Sequence, residues 1–166
     1  MNDIIRNILA FILFTFFQVF LLDELELFNI APPFPFLLFI FMLPTSIPTP
    51  LLYIITFATG LIVDILSGSP GLHAFSCVFA IALRGQVILA TMSSHYRSAT
   101  EISLNSQASS WYVTYLLTLI IAHHTVYYLL EAMVQYNFLY TVMKIIVGSL
   151  YTFVLSYMLA LLFYKK

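Results

Sequence analysis

The chain reads as an all-α, polytopic membrane protein: one integral domain over residues 1–166, six transmembrane helices, and both termini on the cytoplasmic side. Three observations lead there. Of 166 residues, 62% are hydrophobic and only 8% charged, against roughly a quarter charged in a soluble domain. The apolar residues gather in runs close to the ~20 needed to cross a bilayer. The few Lys and Arg sort to one side once six such runs are threaded through a membrane. This composition excludes a soluble enzyme, a nucleic-acid-binding protein and a disordered tail.

The first span is expected at about 4–22. Arg6 followed by Ile8 to Leu22 imitates a signal peptide, but Asp23-Glu24-Leu25-Glu26-Leu27 offers no small-residue cleavage site, so the segment reads as retained. A second span is expected at about 33–48. Its uninterrupted core from Phe36 to Leu43 is short, and Pro32, Pro33, Pro35, Pro44 and Pro48 surround it. A short crossing and a broken, partly re-entrant helix are both open readings. Regular spans follow at about 51–67, 71–91, 111–131 and 139–163. They are separated by Ser67-Gly68-Ser69-Pro70-Gly71, by a Ser-rich polar loop at 92–110, and by Gln135-Tyr136-Asn137.

Six crossings put Arg6, Arg97, Lys165 and Lys166 on the cytoplasmic side. Asp23, Glu24, Glu26 and Glu131 lie on the opposite side, which has no Lys or Arg. Five crossings would place Arg6 and the Lys165-Lys166 tail on opposite faces, against the positive-inside tendency. Trp111 and Tyr112, Tyr127 and Tyr128, and Tyr136, Tyr140 and Tyr164 fall at span ends, the depth amphipathic rings favour.

Asp64, Arg84 and Lys144 fall within spans, where an ionisable group is costly unless paired, hydrated or able to snorkel. At a rise of about 1.5 Å per residue, Asp64 and Arg84 differ in depth by about 15 Å and do not pair. His73 and Lys144 share the depth of Asp64, so a contact of Asp64 with one of them is expected to tie three spans together. Hydration of Asp64 at the interface, snorkelling of Arg84 and Lys144, and capture of Lys144 by Glu131 compete with it. Gly60, four residues before Asp64, makes a small-residue face with Ala58 and Thr59. Gly68 and Gly71 suit a tight reversal.

His123 and His124 point about 100° apart on a helix, which disfavours a shared metal ion. Cys77 is the only cysteine, so an internal disulfide or a Cys-rich metal site is excluded. The sequence has no Gly-x-Ser-x-Gly elbow, His-Glu-x-x-His pair or Walker loop. It also has one deeply placed carboxylate where an intramembrane aspartyl protease needs two. No catalytic residue, cofactor or metal is expected.

The stretch from Gly60 to Phe75, Gly60-Leu61-Ile62-Val63-Asp64-Ile65-Leu66-Ser67-Gly68-Ser69-Pro70-Gly71-Leu72-His73-Ala74-Phe75, resembles the signature of the bacterial rod shape-determining MreD family. In that family a glycine and, four residues on, an aspartate end one span. A short glycine-containing loop follows, and another glycine opens the next span. Those positions are Gly60, Asp64, Gly68 and Gly71, with Ser67 and His73 beside them. Gly71-Leu72-His73-Ala74, and Arg84 closing the run Ala80-Ile81-Ala82-Leu83, resemble one branch in which a proline often follows the arginine. Gly85 stands there instead.

The resemblance implies a non-catalytic scaffold in the bacterial inner membrane, part of the elongasome that maintains cell shape. It would associate with the bitopic protein MreC. Through MreC it would reach the MreB filament, and RodA with its transpeptidase partner in lateral peptidoglycan synthesis. The corner at Gly60, Asp64, Gly68 and Gly71 would orient MreC. The family is also similar in fold to the substrate-binding subunits of energy-coupling-factor transporters. That similarity leaves a vitamin-type ligand-binding subunit as the alternative, for which a polar pocket open to the outer face is expected.

Overall fold

The computed structural model describes residues 15–16, 30–91, 109–134 and 137–163. The expected first span, apart from helical Thr15 and Phe16, lies outside the described residues. So do the polar loop 92–108 and the basic residues Arg6, Arg97, Lys165 and Lys166.

The described chain is helical and contains no strand. A short helix α1 (Leu37–Phe41) is followed by α2 (Thr49–Ser67), α3 (Leu72–Thr91), α4 (Ser109–Ala132) and α5 (Phe138–Phe163). The four long helices have 19, 20, 24 and 26 residues, about 29–39 Å at the α-helical rise. All four are long and apolar enough to cross a membrane, and the chain therefore reads as a membrane protein. Their bounds lie within two residues of 51–67, 71–91, 111–131 and 139–163.

The second expected span differs from a regular helix over 33–48. Only five residues, Leu37–Phe41, are α-helical. Pro33, Pro35, Pro44 and Pro48 supply no backbone N–H and fix φ, so an i→i−4 ladder cannot extend past either end. The entry turn is tight instead: Leu37, Leu38 and Phe39 N–H groups donate three residues back, to Phe34, Pro35 and Phe36 carbonyls at 3.0–3.2 Å.

This irregular segment is nevertheless the centre of the molecule, for Ala31, Phe34 and Phe36 to Leu43 are all buried. At one end the Phe34 ring meets His73 near the start of α3, with centroids 4.7 Å apart. At the other, the Leu43 carbonyl accepts from Arg84, eleven residues further along α3, or about 16 Å. The segment thus threads the bundle lengthwise.

Around it, α2 packs mainly on α3, α3 on α4, and α4 on α5, while α1 touches α4 and α5. Helix α4 buries the pairs Trp111/Tyr112, Tyr115/Leu116, Leu119/Ile120, His123/His124 and Tyr127/Tyr128. This broad seam at four-residue spacing explains why two adjacent histidines are both interior. Helix α5 turns Ser149, Thr152, Ser156 and Ala160 inward and leaves Ile146, Leu150, Val154 and Met158 exposed. Polar and small groups inside, apolar groups outside, is the distribution expected where lipid replaces water.

Candidate functional site

The α2–α3 corner begins with a glycine. A Cβ built on Gly60 would stand 2.6 Å from Ala74 Cα and 2.8 Å from Ala74 N, so only glycine lets the backbone of α2 lie against the first turn of α3. One helical turn later, the Asp64 carboxylate reaches that same turn. Its Oδ1 accepts from the His73 backbone N–H at 2.9 Å and from Ser69 Oγ at 2.8 Å, and Oδ2 accepts from the Ala74 N–H at 2.8 Å.

Asp64 is therefore an N-cap delivered from the neighbouring helix. It satisfies two amides that the start of α3 cannot pair internally, and it places negative charge at the positive end of the helix dipole. Between them the chain reverses through Gly68 (φ 68°) and Gly71 (φ 81°), left-handed conformations that a side chain makes costly. The Gly68 N–H returns to the Asp64 carbonyl, as does that of Ser69 at 3.1 Å.

The structure brings Gly60, Asp64, Gly68, Gly71 and His73 together here, His73 through its backbone. Ser67 is the exposed last residue of α2. Of the two expected contacts of Asp64, the one with His73 is made, through the His73 backbone N–H rather than its ring, and the one with Lys144 is not, because Asp64 is buried and turned toward the α3 amides. Lys144 lies across the α4–α5 hairpin, its Nζ 2.7 Å from Glu131 Oε2. The Tyr140 and Tyr128 rings are 5.1 and 5.5 Å away from the ammonium. Glu131 is the acidic group within reach because it is the penultimate residue of α4, opposite the first turns of α5.

Arg84 does not snorkel to the surface; it is 4% exposed. Its Nε donates to Tyr115 Oη at 3.1 Å and its Nη2 to the Leu43 carbonyl. The Tyr115 hydroxyl donates to the Phe41 carbonyl at 2.7 Å. Arginine and tyrosine thereby cap carbonyls that α1, cut short by Pro44, leaves without helical partners. Irregular backbone at membrane depth persists only where protein groups satisfy it in this way.

The opposite end of the threaded segment is held through His124. Its Nδ1 lies 2.9 Å from the Ile120 carbonyl, an acceptor only, so this nitrogen carries the proton. In the neutral ring Nε2 accepts from Thr152 Oγ1 at 3.1 Å, and the Thr152 oxygen accepts the Phe34 N–H at 2.9 Å. His123 faces away into rings, stacked on His73 (5.7 Å, 18°) and Tyr127 (6.0 Å, 16°). Neither of its nitrogens, nor His73 Nδ1, has a hydrogen-bond partner. Among the described residues no group of three His, Cys, Asp or Glu is placed to hold a metal ion.

Sequence reasoning missed Ser69, Tyr115, Thr152 and the ring cluster. A hydroxyl five residues after an aspartate at a helix end is a legible signal for the first. The others come together only through segment 30–43. Near the α2–α3 turn, a pocket of about 420 Å³ is lined by Pro70, Leu72, Glu131, Tyr140, Thr141 and Lys144. Compared with protein families, characterised proteins and solved structures, the chain matches none.

Proposed function

We propose that the chain is a non-catalytic scaffold of the MreD kind, a six-span inner-membrane protein with cytoplasmic termini. In this reading it binds an MreC-type single-span protein, and so helps couple the MreB cytoskeleton to the machinery of lateral wall synthesis. The observation that carries it is the α2–α3 corner. Gly60, Asp64, Gly68 and Gly71 are all occupied in folding one rigid helix pair, with both carboxylate oxygens of Asp64 accepting hydrogen bonds within it. A motif so used supports a structural part better than a reactive one. Helix α2 also leaves Ile54, Phe57, Leu61 and Ile65 exposed at helical spacing, a ridge on which a partner helix can pack in lipid.

Co-expression with an MreC chain from the same organism, followed by purification in detergent, tests this reading. A stable one-to-one complex is the expected result. Failure to associate, with recovery instead of a transporter ATPase pair, overturns it.

The 420 Å³ pocket beside Lys144 and Glu131 favours a second reading, a substrate-binding transporter subunit, since ligand sites begin near 300 Å³. Against it, the Lys144 ammonium and the Glu131 carboxylate bind each other, and Phe34 to Leu43 fill the bundle axis. A vitamin retained through purification decides for it.

A further inference from the structure

A second cleft lies at the other end of the α2–α3 pair. The two helices touch backbone to backbone at Gly60 and Ala74. The cleft has a volume of about 400 Å³, with Thr45, Leu52, Tyr53, Arg84, Gly85 and Ile88 among its lining residues. We propose that this cleft binds an anionic phospholipid, with Arg84 taking the lipid phosphate.

The charge is the first ground. Arg84 is a buried cation whose protein partners, the Tyr115 hydroxyl and the Leu43 carbonyl, are both neutral. Two of the five guanidinium donors are used by these bonds. The carboxylates among the described residues are Asp64 and Glu131. Asp64 caps the far end of α3, and Glu131 holds Lys144. A buried charge calls for a counter-charge, and a phosphate matches the planar fork of arginine.

The second ground is the setting. Arg84 sits seven residues, about 10 Å, before the end of α3. Its bond to Leu43 draws the turn before α2 to that level, where Thr45 and Ser46 are exposed and Thr45 is among the lining residues. Apolar Leu52, Ile88 and Leu89 form the walls, and Leu89 is 60% exposed on the outer surface. A polar floor with apolar walls opening sideways suits a lipid that keeps its chains in the bilayer, rather than free phosphate. Basic pockets between transmembrane helices commonly hold lipid headgroups. The proposal does not rest on the scaffold reading; it requires only that α2 and α3 lie in a membrane.

The test reconstitutes the full chain in vesicles of equal phosphatidylglycerol and phosphatidylcholine, extracts it in mild detergent, and counts retained lipids by native mass spectrometry. Phosphatidylglycerol is expected to be retained about fivefold over phosphatidylcholine, the scale of one basic residue near a headgroup. Arg84→Gln should bring the ratio to one. Because that change also removes the bond to the Leu43 carbonyl, Gly85→Leu serves as the deciding variant. A Cβ at Gly85 meets nothing within 4 Å, so leucine grows into the cleft while Arg84 and its bonds stay. It too should abolish the preference, with unchanged elution and melting. Equal retention of the two lipids by the wild type, or a preference that survives Gly85→Leu, overturns the proposal. Displacement of phosphatidylglycerol by inorganic phosphate alone would show a free-anion site and overturn it as well.

Discussion

At the scale of single residues, the molecule turns on whether a side chain meets another side chain or a backbone. Gly60 and Asp64 both act on backbone: one by having no Cβ beside Ala74, the other by accepting from the His73 and Ala74 amides. Gly60→Ala forces a carbon against a helix that cannot yield, and is expected to lower stability in detergent by roughly 1–3 kcal/mol. Asp64→Asn keeps one acceptor for three donors, and Asp64→Ala keeps none, with a loss of about 2 kcal/mol. Thermal unfolding should rank wild type above Asp64→Asn, and Asp64→Asn above Asp64→Ala. Equal midpoints for Gly60→Ala and wild type would mean the helices are not in backbone contact. The glycine and the acid were legible in the sequence as a pair one helical turn apart. His73 was legible as a neighbour of Asp64 by depth, but the groups actually used were not, because depth pairs charged side chains, whereas Asp64 meets the Ser69 hydroxyl and two amides of the kind every helix start carries.

At the scale of elements, segment 30–43 shows the difference between an apolar run and a helix. Its hydrophobicity and its flanking prolines were both legible, and they left a short crossing and a broken helix as open readings. The structure makes it a five-residue helix within a buried irregular segment, because the bundle supplies what the prolines remove: Thr152 for the Phe34 amide, Tyr115 for the Phe41 carbonyl, Arg84 for the Leu43 carbonyl. Thr152→Val tests this directly. It leaves the Phe34 N–H and His124 Nε2 unpaired in the interior, at a cost of about 1–3 kcal/mol. Amide exchange over residues 34–43 should accelerate while exchange in α2 stays unchanged. Equal acceleration in both would show that the segment is not held independently. The Lys144–Glu131 pair belongs to the same scale but contributes less, for both groups are partly exposed, at 19% and 39%. It aligns the α4–α5 hairpin rather than tying three spans together.

At the scale of the whole molecule, contacts of Asp64 with His73, of Arg84 with Tyr115 and His73 with Tyr127, and of Glu131 with Lys144 and His124 with Thr152 make α2 to α5 alternate in direction, and the turn at Gly68–Gly71 and the turn at Thr45–Ser46 lie at opposite ends of α2. Cys77, the sole cysteine, is buried, so it gives little background to thiol labelling. With Ser46→Cys and Ser67→Cys, both at exposed positions, a membrane-impermeant maleimide should label Ser67→Cys in intact spheroplasts, and Ser46→Cys only after lysis. Labelling of both from outside, or the reverse pattern, would contradict the orientation drawn from the Lys and Arg distribution.

The sequence by itself determined the solvent and the long elements: an apolar composition with rare charges selects a bilayer, and runs of membrane length between glycine, proline and polar breaks mark four long helices to within two residues. These are local properties, set by hydrophobicity and backbone propensity along the chain. Only the tertiary structure decided where the buried charges go. Asp64 meets a helix start, Arg84 meets the Leu43 carbonyl beside Pro44 and the Tyr115 hydroxyl, and Lys144 meets the acid at the adjacent hairpin end. The His73 and Ala74 amides and the Leu43 carbonyl among those partners are backbone groups, identical in every residue and so invisible in a string of side chains until the fold brings them within reach.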